Sequence, residues 1–169
     1  MAKSTFSGPV KSLAGFISAG VNNSVSLTAD TTLTVDAHAG KILLCNDADG
    51  KFTLPSIVST TPSDPTDPNQ ANNIGASFYF YIETAATDFD ILTDGTDKFK
   101  GAVLVAVDDG AKKAFVPAAS NDVMTMNGST KGGIAGSVVR VTAIDAATYL
   151  VHDSLLIGSG TIVTPFADA

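Results

Sequence analysis

Residues 77–83 read SFYFYIE, and this stretch decides the fold because its apolar and polar-tipped side chains alternate with a period of two. Phe78, Phe80 and Ile82 fall on one side of the stretch, and Tyr79, Tyr81 and Glu83 fall on the other. Successive side chains of a β-strand point to opposite faces of its sheet. The stretch is therefore predicted to be a strand with one buried face.

Further short β-strands are predicted on both sides of this stretch. They cover residues 25–27, 33–35, 41–45, 52–54, 89–93, 102–107, 114–116, 123–126, 137–144, 148–151 and 155–157. Turn dipeptides separate several of them: Asp94-Gly95, Asp109-Gly110 and Asn127-Gly128 supply the positive φ that tight hairpins need. Many short strands with such turns are typical of sandwiches and barrels. We therefore predict an all-β fold, an antiparallel β-sandwich of jelly-roll-like type.

The composition also favours β structure in a single compact domain. Charged residues make up only 16% of the 169 residues, against about 25% in typical domains. Serine, threonine, asparagine and glycine supply the remaining polarity, and they favour turns and solvated strand faces over helix surfaces. Cys45 is the only cysteine, so no intramolecular disulfide forms, and its apolar neighbours predict a buried thiol.

The net charge of −7 argues against nucleic acid as a partner. Nucleic-acid binding relies on Lys and Arg, but Lys112-Lys113 is the only adjacent basic pair of the chain. No apolar run approaches the roughly 20 residues of a membrane helix. The first residues also lack the basic start and apolar stretch of a signal peptide. We expect a protein that is made in a cytoplasm and binds neither nucleic acid nor membrane.

An extended N-terminal arm is predicted over residues 1–22, before a β-sandwich domain over residues 23–169. The arm is rich in Gly and Ser, and Gly8-Pro9, Gly15 and Gly20 interrupt any helix. It carries apolar side chains without a core of its own, so it should dock onto its own domain or onto a partner. The expected partner-binding residues are Phe6, Val10, Leu13, Phe16 and Ile17.

A Pro-rich loop is predicted as an insertion in the domain at about residues 59–73, which read STTPSDPTDPNQANN. Its prolines recur every third residue, a spacing that suits polyproline II and prevents strand pairing. Loops of this length inside a compact domain are usually functional or disordered. A solvated loop and an interaction loop both remain open.

No cofactor, metal site or catalytic site is predicted. Residues 46–50 (NDADG) resemble half of a calcium loop, but its first and closing ligands would be Cys45 and Ser56, which do not suit calcium. A hairpin turn is predicted there instead. His152-Asp153-Ser154 places three triad residue types side by side, yet neighbours on a strand point to opposite faces. We therefore expect no relay between them and no enzymatic activity.

Several stretches together resemble a family of small capsid-decoration, or cement, proteins of tailed bacteriophages, in particular those of marine and cyanobacterial podoviruses. The stretches are 5–12 (TFSGPVKS), Gly15-Phe16, Gly40-Lys41, 46–55 (NDADGKFTLP), 75–80 (GASFYF) and 158–166 (GSGTIVTPF). The Pro-rich loop departs from the family's pattern. The resemblance implies a β-sandwich, often a homotrimer, that binds the outer capsid surface of the virion. There it would reinforce the lattice of the major capsid protein against the pressure of packaged DNA.

Two other functions remain open from the residues alone. One is a tail, fibre or spike-associated β module that contacts the host surface, and the other is a carbohydrate-binding module. Tyr79 and Tyr81 share one strand face and could form a platform for a sugar, so a host-surface glycan is the candidate ligand. A decoration protein is expected in many copies per particle and a fibre in few.

Overall fold

The computed structural model describes residues 23–59, 72–107 and 110–169 of the chain. The predicted arm over residues 1–22 and its five partner-binding residues lie outside the described residues, as does most of the Pro-rich loop. The elements, in chain order, are β1 (Ser24–Leu27), β2 (Thr31–Thr32), α1 (Val35–His38), β3 (Ile42–Cys45), β4 (Lys51–Thr53), β5 (Ser77–Ile82), β6 (Phe89–Leu92), β7 (Lys98–Gly101), β8 (Val103–Val107), β9 (Lys112–Phe115), β10 (Val123–Met126), β11 (Val138–Asp145), β12 (Thr148–Gly158) and β13 (Phe166–Ala167).

These strands form two sheets. The eight-stranded sheet has the order β1-β3-β5-β11-β12-β8-β9, with β7 also paired to β12, and the five-stranded sheet has the order β13-β10-β6-β4-β2. The prediction of an all-β fold is confirmed. The single helix of the described residues, α1, has four residues and falls far short of a membrane span.

Strand pairing is mixed, which corrects the expected antiparallel arrangement. Strand β3 runs parallel to both β1 and β5, β12 runs parallel to β7 and β8, and β4 runs parallel to β2 and β6. Antiparallel pairing remains at the centre of the larger sheet, from β5 through β11 to β12. The cause is the path of the chain, which goes from β3 in one sheet to β4 in the other and back to β5. A return through the opposite sheet leaves neighbouring strands parallel.

The turns named from the sequence do have the predicted backbone, but most of them connect the sheets. Gly95 and Gly128 have φ of +86° and +64°. Gly95 lies between β6 and β7, and Gly128 lies between β10 and β11, so each follows a strand of one sheet and precedes a strand of the other. Residues 46–50 likewise lead from β3 to β4 in place of the predicted hairpin. Gly110 does lie in an antiparallel hairpin, between β8 and β9.

The local structure around the predicted strand at 33–35 also differs. Strand β2 ends at Thr32, and α1 begins directly after Thr34. The Thr34 hydroxyl accepts a hydrogen bond from the Ala37 N–H at 3.4 Å, a capping contact that satisfies one free donor of the first turn. Leu33 therefore lies between β2 and α1, and Val35 is the first residue of α1, so the two do not alternate within one strand.

The core lies between the two sheets. Phe78, Phe80 and Ile82 are fully buried, which confirms the predicted inner face of β5. Contact between the sheets includes Phe99 of β7 and Phe166 of β13, whose ring centroids are 6.4 Å apart. Cys45 is buried as expected, and desolvation raises the pKa of its thiol to about 12.

A buried tyrosine links the sheets with a hydrogen bond. Tyr149 of β12 is fully buried, and its hydroxyl donates to the carbonyl oxygen of Pro55 at 2.6 Å. Pro55 follows β4 of the other sheet. Burial raises the pKa of Tyr149, so the phenol keeps the proton that this hydrogen bond needs.

The edges of the sheets are short or charged. Both edge strands of the smaller sheet, β2 and β13, contain two residues each. Edge strand β9 of the larger sheet exposes Lys112 and Lys113. Strand β7 also pairs only with β12, and it is four residues long and carries Lys98 and Lys100. The other end strand of the larger sheet is β1, and the described chain begins immediately before it, at residue 23.

Candidate functional site

The outer face of the eight-stranded sheet carries two rows of side chains that cross several strands. Pairing places Ile42, Tyr79, Arg140 and His152 side by side on β3, β5, β11 and β12. A second row, which we call the apolar row, contains Leu44, Tyr81, Val138, Leu155 and Leu104 on β3, β5, β11, β12 and β8. The two rows run next to each other, so one face combines a polar and an apolar surface.

His152 lies at the centre of a hydrogen-bonded chain of side chains. Its Nδ1 is 3.1 Å from Asp153 Oδ2, and its Nε2 is 2.8 Å from Thr142 Oγ1. The Thr142 hydroxyl in turn donates to Ser77 Oγ at 3.0 Å. These residues come from three strands, β5, β11 and β12, and define what we call the polar cluster together with Arg140 and Tyr79.

The contact between His152 and Asp153 contradicts the expectation that consecutive strand residues point apart. Asp153 has a φ of +46° and is the one non-glycine residue of the described chain with positive φ. The register shifts at the same place, because Arg140 pairs with His152 whereas Val138 pairs with Leu155. The extra residue makes a β-bulge in β12, and a bulge re-aims the side chains next to it.

Ser154 supplies the hydrogen bonds that the bulge would otherwise leave unmade. Its hydroxyl donates to the carbonyl oxygen of His152 at 2.7 Å and accepts from the backbone N–H of Arg140 at 3.2 Å. Backbone polar groups that lose a ladder partner are costly unless another group replaces it. Ser154 therefore has a structural role in the bulge and not the role of a nucleophile beside His152.

The polar cluster has the order carboxylate, imidazole and hydroxyl that catalytic triads use. Thr142 would be the hydroxyl, but it is half-buried in the middle of β11, and its single proton is donated to Ser77 and not to the imidazole. A nucleophile needs an exposed hydroxyl and preorganised donors for the developing oxyanion. The network is better suited to holding Ser77 and its surroundings in place than to nucleophilic attack.

Arg140 is the only arginine of the chain and stands over the ring of Tyr79. The guanidinium carbon is 5.2 Å from the ring centroid, a cation–π distance. Nη1 lies 3.3 Å from Asp153 Oδ2, whereas Nε is shielded from solvent and has no hydrogen-bond partner among the described residues. Arg140 is thus fixed on two sides and still has an unmatched donor.

A cleft of about 270 Å³ opens beside Arg140. Its lining comes from the start of β3 and from β5 and β11: Gly40, Lys41, Ile42, Ser77, Tyr79 and Arg140. Two of these described lining residues are cations and none is a carboxylate. The cleft is therefore a locally basic site in a chain whose net charge is −7.

The apolar row is exposed to solvent along most of its length. Tyr81, Leu104 and Leu155 have 36%, 38% and 41% of their surface exposed, whereas Val138, between Tyr81 and Leu155, and Leu44, at the end of the row, are half-buried. Neighbouring strands lie about 4.8 Å apart, so a row across five strands extends over roughly 20 Å. Single exposed apolar residues are ordinary, but a contiguous patch marks an interaction surface.

The two tyrosines proposed from the sequence as a sugar platform do share the outer face, but they belong to different surfaces. Tyr79 lies under Arg140 in the polar cluster, and Tyr81 is a member of the apolar row. Sequence reasoning missed Arg140, Thr142 and Ser77. The signal that could have found Arg140 is a lone charged residue in the predicted strand 137–144, whose other residues are apolar apart from one serine and one threonine.

Comparison with known proteins gives no match. No family model fits the chain, and neither a curated protein nor a solved structure is significantly similar to it. Among the described residues, no group of three or more metal-ligating side chains comes together. The resemblance to capsid-decoration proteins stays a prediction from the sequence.

Proposed function

We propose that this chain is a structural virion protein that binds the outer surface of a bacteriophage capsid and stabilises the lattice of the major capsid protein. The observation that carries this proposal is the apolar row on the outer face of the eight-stranded sheet. It has no charged member, and the centres of protein–protein interfaces are likewise apolar and poor in charge. A flat surface of this kind suits another protein better than it suits a small substrate.

The apolar row alone is smaller than a stable interface, which needs about 800 Å² on each partner. The arm is proposed to supply the rest. It joins the domain just before Asn23, whose carbonyl oxygen accepts from the Ile42 N–H at 2.8 Å. Ile42 belongs to β3, the strand on which the row begins at Leu44. A docked arm would thus extend the same contact surface, and its anchors Phe6, Val10, Leu13, Phe16 and Ile17 would add apolar area.

A homotrimer is part of the same proposal. Tethering of three domains raises the effective concentration of each arm and each row at the capsid, so modest contacts can hold the complex. Light scattering at micromolar concentration is expected to give three times the 17.2 kDa of one chain. A stable monomer without capsid would contradict the trimer.

Binding to capsids tests the proposal directly. Capsids assembled without this chain, from the virus whose genome encodes it, are mixed with the purified protein and sedimented. We expect saturable binding, at a copy number near that of the capsid hexamers or higher. A few copies per particle would instead indicate a fibre or tail component, and no binding would overturn the proposal.

Substitutions in the apolar row locate the contact. Leu155→Lys and Leu104→Lys should each lower capsid affinity by about tenfold or more, because a charge would be buried at the centre of the interface. Val163→Lys is the matched control, since Val163 is 43% exposed and lies beyond β12, outside the row. Folded row variants that bind like the wild type would remove the support that the row gives.

A further inference from the structure

We propose that the cleft beside Arg140 binds a small ligand that carries both a carboxylate and hydroxyl groups, that is, a sugar acid. The inference goes beyond capsid binding and rests on the cleft, not on the apolar row. The residues that would hold the ligand are Lys41, Arg140, Ser77 and Tyr79.

The charge of the cleft selects an anion. Lys41 and Arg140 both line it, and the described lining contains neither aspartate nor glutamate. The chain has ten basic and seventeen acidic residues. A small cleft lined by two cations therefore differs in charge from the chain as a whole. Asp153 lies on the far side of the guanidinium, where it contacts Nη1 at 3.3 Å and orients the group without lining the cleft.

The geometry of Arg140 favours a carboxylate. A guanidinium offers five N–H donors in a planar fork that matches two carboxylate oxygens. The Tyr79 ring at 5.2 Å and Asp153 fix the plane of this fork. The Nε donor is shielded from solvent and does not take part, but the Arg140 side chain as a whole is 42% exposed. A carboxylate in the cleft would therefore meet the guanidinium end-on, through its Nη donors.

The remaining lining suits a hydroxylated ring. Ser77 accepts from Thr142, so its own proton is free for a ligand oxygen. Thr142 is held by His152, and His152 by Asp153, which gives Ser77 a fixed position. Ile42 and Tyr79 add apolar surface on which the carbon face of a ring can lie. A volume of about 270 Å³ holds a ligand of monosaccharide size and not an oligosaccharide.

The test is an NMR titration of the ¹⁵N-labelled full-length protein with glucuronate, in parallel with glucose and inorganic phosphate. We expect saturable shifts of the Gly40, Lys41, Ser77 and Arg140 amides with glucuronate, and much weaker effects with the other two compounds. Glucose binding as tightly as glucuronate would overturn the role of the carboxylate. Phosphate binding as tightly would reduce the site to a general anion site and overturn the inference of a sugar acid.

Variants assign the binding to the cleft. Arg140→Gln and Lys41→Gln should each weaken glucuronate binding by about tenfold or more, since each removes a charged hydrogen-bond donor. Lys100→Gln on β7 removes the same charge from an exposed position outside the cleft and should leave the affinity unchanged. If Arg140→Gln fails to fold, Lys41→Gln alone decides the matter. Unchanged affinity in a folded Lys41→Gln variant would overturn the proposed site.

The two proposals can fail separately. Leu155→Lys should abolish capsid binding while glucuronate binding persists, because Leu155 lies outside the cleft lining. Arg140→Gln should do the reverse. Loss of both functions in a folded Leu155→Lys variant would contradict the separation of the two surfaces.

Discussion

The imidazole of His152 and the carboxylate of Asp153 lie 3.1 Å apart although the two residues are consecutive in one strand. A regular strand would direct them to opposite faces. The left-handed backbone of Asp153, with φ of +46°, turns its side chain onto the same face as the ring and also brings it to Arg140. A single unusual dihedral thus adds Asp153 to a polar cluster whose other members are brought together by strand pairing.

Substitution of Asp153 tests whether this backbone conformation limits stability. Asp153→Val should lower the free energy of unfolding by about 1–2 kcal/mol, because β-branched residues are strained at positive φ. Asp153→Gly and Asp153→Asn tolerate that φ and should stay closer to the wild type. Urea unfolding gives the comparison. Equal losses in the valine and glycine variants would show that side-chain contacts, and not the backbone, dominate.

Removal of the Tyr149 hydroxyl should weaken the link between the sheets. In Tyr149→Phe the carbonyl oxygen of half-buried Pro55 loses its donor at 2.6 Å, which should cost about 1–3 kcal/mol in the free energy of unfolding. Tyr81→Phe is the control, because its ring is 36% exposed and its hydroxyl can be solvated. A loss no larger than that of the control would mean that water replaces the hydroxyl.

The acid sensitivity of the fold should depend on Asp122. The ammonium of Lys98, 2.7 Å from Oδ2, and the Ala169 N–H hold the pKa of this carboxyl below its usual range. A lowered folded-state pKa contributes stability that is present above the unfolded pKa of about 3.9 and is lost as the pH falls through the folded pKa. Asp122→Asn should therefore be less stable at pH 7, and the difference should shrink below about pH 4.

The measurement is the free energy of unfolding of both proteins between pH 7 and pH 2. The difference between them is needed because other groups oppose this trend: desolvation raises the pKa of Asp97, which favours the folded state at low pH. Asp88→Asn, at an exposed position, controls for the loss of one negative charge. A pH-independent difference would contradict the role assigned to the Lys98 contact.

Deletion of residues 2–20 should separate the contribution of the arm from that of the apolar row. We expect a folded domain with lower capsid affinity, because the five apolar anchors are removed and burial of each is worth about 1.5–3 kcal/mol. Circular dichroism and thermal unfolding check the fold, and sedimentation with capsids measures binding. Unchanged affinity would leave the row as the only contact, and an unfolded product would assign the arm to the core.

The sequence predicts the strands whose alternation is local and strong. Phe78, Phe80 and Ile82 show this pattern, and the structure buries all three. Strand β7 was not predicted, because its four residues KFKG contain a single apolar side chain and so show no alternation. That side chain, Phe99, is placed by tertiary packing against Phe166, which the local sequence does not reveal. Parallel pairing was also beyond reach, since it depends on which sheet each connection enters.

The candidate site was harder to predict than the fold because its parts are distant in sequence. Lys41, Tyr79 and Arg140 come from three strands and meet only through the pairing of β3, β5 and β11. The contact of His152 with Asp153 depends on a bulge, and neither residue type nor spacing signals one here. Periodicity reports which face is buried, but not which polar residues of the other face become neighbours.

The edge strands constrain how copies of this domain can associate. A free edge recruits another strand when it offers a long run of unpaired N–H and C=O groups. Strands β2 and β13 have two residues each, and β9 and β7 carry two lysines each, so these edges offer little such template. Open-ended polymerisation by strand addition is thereby suppressed. If the domain is displayed at very high local concentration, as proposed, its copies can then stay discrete units instead of growing into fibrils.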